Sequence, residues 1–61
     1  MYRNMTDLCN AALDCEYDSP ELPLLQRLFK VYHHAQNNPP EGIIGVGAIT
    51  YAEQMLIKAQ Q

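Results

Sequence analysis

The sequence predicts an all-α domain: a small three-helix fold in which the second and third helices form an antiparallel hairpin and the first packs across them. Two observations carry this. Asn37, Asn38, Pro39, Pro40 and Glu41 write a helix stop and a helix start into five residues. Asn tolerates the left-handed conformation that ends a helix, and Asn, Pro and Glu suit the cap, first-turn and third positions of the next. Ahead of that break, Leu25, Leu28, Phe29 and Tyr32 recur at spacings of three and four, the signature of an amphipathic helix that must bury one face.

The first helix is expected over 6–16. Thr6 offers an N-cap and Asp7 a first-turn carboxylate, and Met5, Leu8, Cys9, Ala12, Leu13 and Cys15 follow helical spacing. Residues 1–4 read as a short disordered lead-in. Between Tyr17 and Pro23, two prolines remove backbone donors and turn Ser19 and Leu22 away from helical dihedrals. The second helix is expected over 23–36, with Leu22 packed as a staple ahead of it, although Pro20 behind a Ser19 cap is a second possible start. The C-terminal stretch allows two readings, because Gly42, Gly45 and Gly47 each cost about 1 kcal/mol inside a helix relative to Ala. The favoured one is a single helix over 39–59, whose continuous face is Gly45, Ala48, Ile49, Ala52, Met55, Leu56 and Ala59. The other starts at the Thr50 and Glu53 capping box and leaves Ile43 to Ile49 as a loop or short strand. The first would make the third helix ~30 Å long against ~20 Å for the second.

Sixty-one residues allow one domain. An unfolded chain of this mass exposes roughly 10,000 Å² and buries about 60 % of it on folding. With about 60 % of that area apolar, burial yields ~90 kcal/mol, and ordering the chain costs about as much. A monomer so balanced needs help, and a second copy of the chain is one source of it. Disulfides are not expected to supply it. Cys9 and Cys15 point about 120° apart on one helix, with a Cα separation of ~9 Å that exceeds disulfide reach, so they read as two small buried thiols. No charged-then-apolar leader of the secretory kind is present, which makes the cytoplasm the expected compartment. No apolar run is long enough for a membrane span, so no membrane partner is expected.

Seven carboxylates face four basic residues, Arg3, Arg27, Lys30 and Lys58, which are scattered along the chain. That argues against nucleic acid, whose phosphates call for clustered cations. His33 and His34 are adjacent, so their side chains diverge by ~100° and cannot chelate one ion from a regular helix. Zinc-ligand spacing is missing, and neither a metal nor another cofactor is expected. A Cys and His pair could supply nucleophile and base, but a chain this small cannot easily enclose the pocket that catalysis needs. Asp14, Glu16, Asp18 and Glu21 form a solvated acidic corner without calcium-loop spacing. GIIGVG lacks the strand and the Gly-Lys-Ser/Thr ending of a phosphate loop. A helix-turn-helix exists as shape only, since Ile43, Ile44, Val46 and Ile49 would face a groove that calls for polar side chains.

The stretches TDLCNAALDCEYDSPEL and AITYAEQMLIK, together with the chain's size and its Cys and Met content, resemble very small helical proteins of lambdoid phages. Those are encoded in the early region, between the exonuclease and excisionase genes. The resemblance implies a product expressed early in infection, in the host cytoplasm, that influences host physiology or the choice between lysis and lysogeny through host protein contacts. It transfers no functional residue.

The expected function is a non-enzymatic protein–protein interaction module acting as a homodimer and on an unidentified protein partner. Leu25, Phe29, Tyr32, Tyr51, Met55 and Leu56 are the candidate interface, some in the core and some at the contact. The alternative is a small dimeric DNA-binding or transcription-associated regulator. A metal-dependent domain built on Cys9, Cys15 and one histidine is the third reading.

Overall fold

The computed structural model describes residues 1–61 as three helices, α1 (Met5–Asp14), α2 (Leu22–Asn37) and α3 (Val46–Lys58), with no strand. The cap of α1 lies two residues earlier than Thr6 suggests. Asn4 is the cap: its Oδ1 accepts from the Asp7 amide at 2.8 Å, and Asp7 Oδ2 accepts from the Arg3 amide at 3.1 Å. The first bond satisfies a donor that the helix start leaves unpaired, and the second ties the residue ahead of the cap to the first turn. Cys15 closes the helix with an extended backbone.

A pair of turns leads into α2. Ser19 and Leu22 donate backbone hydrogen bonds to Glu16 and Ser19, and Ser19 Oγ accepts from the Glu21 amide. Leu22 is the first helical residue rather than a staple ahead of the helix, and Pro23 sits in the first turn, where its missing N–H removes no helical bond. At the far end neither asparagine is left-handed. Asn38 instead caps twice, its backbone N–H and its Nδ2 both donating to the His34 carbonyl at 3.0 Å.

The expectation of one helix over 39–59 is corrected by the connection into α3. Ile43 donates to the Pro40 carbonyl across a turn in which Gly42 has φ +91°. Gly47 then donates to the Ile44 carbonyl across a second turn in which Gly45 has φ +61°. Both dihedrals lie where a Cβ is strained, so these glycines interrupt the backbone instead of lining a helix face. Gly47 alone serves close approach, because a Cβ there would meet Ile43 Cγ2 at 3.2 Å. Nor does a helix begin at Thr50, whose Oγ1 bonds back to the Val46 carbonyl inside α3. The expected lengths are therefore reversed: α2, with 16 residues, outreaches α3, with 13.

α3 packs back along α2, and α1 packs chiefly against α2. Leu25, Leu28, Tyr32 and Ala35 from α2 and Ala52 and Leu56 from α3 are buried, and Leu8 of α1 completes the core. The lead-in is tied down as well. Gln60 Oε1 accepts from the Tyr2 amide at 2.9 Å, while its Nε2 donates to the carbonyls of Tyr2 and Leu56. α1 thus closes the open end of the hairpin. The result is a rod of 40 × 17 × 17 Å with a radius of gyration of 12.1 Å, against ~10.5 Å for a compact chain of this length.

Candidate interaction surface

The six candidate interface residues divide by burial. Leu25, Tyr32 and Leu56 are core, and the shell around that core includes Phe29, Tyr51 and Met55, each half-buried. α2 presents Phe29 to His33 one turn later, with ring centroids 6.5 Å apart and nearly parallel, and Tyr32 meets the same imidazole edge-on at 6.2 Å. The Tyr32 phenol is pushed above its ordinary pKa, first by burial and then by the negative charge of Glu53.

Tyr51 and Met55 lie a turn apart on α3 and face α2 across an open groove of about 350 Å³. Val31 and Ala35 complete its apolar floor, and Lys30, His34 and Asn38 form a polar rim on the α2 side. The spacing of three and four that marks Leu25, Leu28, Phe29 and Tyr32 leaves Val31 out. That Val31 and Ala35 border a groove depends on Tyr51 and Met55 of α3 lying alongside them, which no local pattern reports.

A second hollow, of about 520 Å³, lies where α1 turns into α2. All four carboxylates of the acidic corner line it, around Cys15 and Ser19. Two large apolar side chains beside them have no cover: Leu13 is 83 % exposed and Tyr17 is 96 % exposed. A further uncovered pair, Ile44 and Val46, flanks Gly45 at the start of α3. Cys9 is exposed rather than buried, Cys15 is half-buried, and both are free thiols. No three His, Cys, Asp or Glu side chains converge as they would around a metal ion. No helix is long and apolar enough to cross a membrane.

Charge is segregated between these places. α2 carries Arg27 and Lys30 and not one carboxylate, whereas the segment from Asp14 to Glu21 carries four carboxylates and no cation. No side-chain hydrogen bond engages any of these six charged groups.

Comparison with family models, with curated proteins and with solved structures returns no match.

Proposed function

We propose that the chain is a non-enzymatic protein-interaction module that associates with a second copy of itself and, as that assembly, contacts another protein. The observation that carries this is excess surface. The chain exposes 4541 Å², whereas a compact monomer of its mass exposes about 4,000 Å². Two chains together would have roughly 1,100 Å² to bury, close to the ~1,200 Å² at which specific interfaces begin. The half-buried Phe29, Tyr51 and Met55 supply the aromatic and sulfur-bearing groups that such contacts favour.

Catalysis finds less support. Cys15 lies in the acidic hollow and His34 in the apolar groove, so a cysteine and histidine pair shares neither depression. The resemblance to early-region phage proteins supports a place in the host cytoplasm, with host or lysis and lysogeny functions as the targets.

The second reading is a dimeric DNA-binding or transcription-associated regulator, which draws on the carboxylate-free surface of α2. It ranks lower because four basic residues per chain are outnumbered by seven carboxylates, and phosphate neutralisation depends on local cation density.

Sedimentation equilibrium across a wide concentration range, with helicity followed in the same samples, tests the proposal. The expected result is a mass near twice the 6.9 kDa chain that falls on dilution together with part of the helicity. A helical monomer at every concentration would overturn self-association. Duplex DNA binding that weakens steeply with salt would favour the second reading instead.

A further inference from the structure

We propose that the groove between α2 and α3 receives the acidic corner of a second copy of this chain, with Tyr17 as the inserted side chain. The inference rests on the self-association reading and names its surfaces. The groove offers an apolar floor and, at its edge, the Lys30 ammonium. The corner offers the complement: Tyr17 and Leu13 stand almost fully exposed among Asp14, Glu16, Asp18 and Glu21. An aromatic ring with a polar tip is suited to a floor that is greasy at its base and wet at its rim.

Charge complementarity selects this occupant. The corner and α2 carry opposite charge, and neither uses its charged groups in a side-chain hydrogen bond within the chain. Opposed potentials of this kind steer encounter and set register, while burial of the ring supplies most of the affinity. The chain does not fill its own groove. Val31 lies nine residues into α2 beyond Leu22, about 14 Å along the axis, and the exposure of Tyr17 shows that the corner does not fold back. Because every copy carries one corner and one groove, two copies can fill both sites reciprocally, as an isologous pair does.

The test compares dissociation constants, by sedimentation equilibrium at low and high salt, for the wild-type chain and for variants at exposed positions. Tyr17→Ser should weaken association at least tenfold, and Tyr17→Phe should retain most of it. Lys30→Glu should weaken it severalfold at low salt and less at high salt, and Asp18→Lys in the same chain should recover part of the loss. Helicity at high concentration should be the same in all of them, since none of these side chains is in the core. A wild-type chain that stays monomeric would overturn both the self-association reading and this one. A dimer indifferent to Tyr17→Ser and to Lys30→Glu would overturn the corner-in-groove assignment alone and move the contact elsewhere, with Ile44 and Val46 the next surface to test.

Discussion

Gly45 holds the start of α3 at φ +61° and ψ −129°, a combination that glycine adopts freely and other residues adopt only under strain. Gly45→Ala should cost about 1–3 kcal/mol and lower the thermal midpoint by several degrees, read in a melt against the wild type. Gly47 is a different case, because its helical backbone suits Ala and only the Ile43 methyl has to yield. Tyr32 adds a pH dependence. Its phenol is held above the ordinary value by burial and by Glu53, so the neutral form is favoured in the folded chain. The stabilisation is complete below the unfolded pKa of about 10 and is lost as pH rises through the folded value. The denaturation midpoint should therefore fall as pH is raised above about 10, and Tyr32→Phe should reduce that fall. An unchanged slope in the variant would remove Tyr32 as its source.

α2 is the element on which the others depend. It contributes four of the seven buried side chains and contacts both other helices. Because its stripe is wider than α3 can cover, the largest losses belong to its most enclosed positions. Leu28 is fully buried, and Leu28→Ala should cost about 2–5 kcal/mol through the cavity it leaves. Phe29, the larger side chain, is only partly buried and is stacked on His33, so water can enter the space it vacates. Phe29→Ala should cost less than Leu28→Ala, reversing the order that side-chain size alone would give. Chemical denaturation of the two variants decides it, and a greater loss at Phe29 would place that ring in the core. The groove belongs to the α2–α3 pair as well. α3 starts at Val46 because two turns consume the residues before it, and its Tyr51 and Met55 line one groove with Val31 and Ala35.

At the scale of the whole molecule, a rod two helices thick has too much surface for its core. Only seven residues are buried, so the proposed second copy would add to a small core by covering the groove at Tyr51 and Met55. This is why the expected concentration dependence of mass and helicity belongs to the molecule rather than to any one residue. The sequence by itself determined the all-α class, the number of helices, the break after Asn37 and the buried face of α2. Each of these follows from spacing along the chain or from residues whose backbone preferences act locally. What only the tertiary structure decided is where α3 begins, that Gln60 clamps Tyr2 across the ends of the chain, and which of Leu25, Phe29, Tyr32, Tyr51, Met55 and Leu56 remain at the surface. A glycine pattern is compatible with a tight helix face and with left-handed turns alike. Burial depends on what lies opposite a side chain, and that is set by the packing of all three helices together.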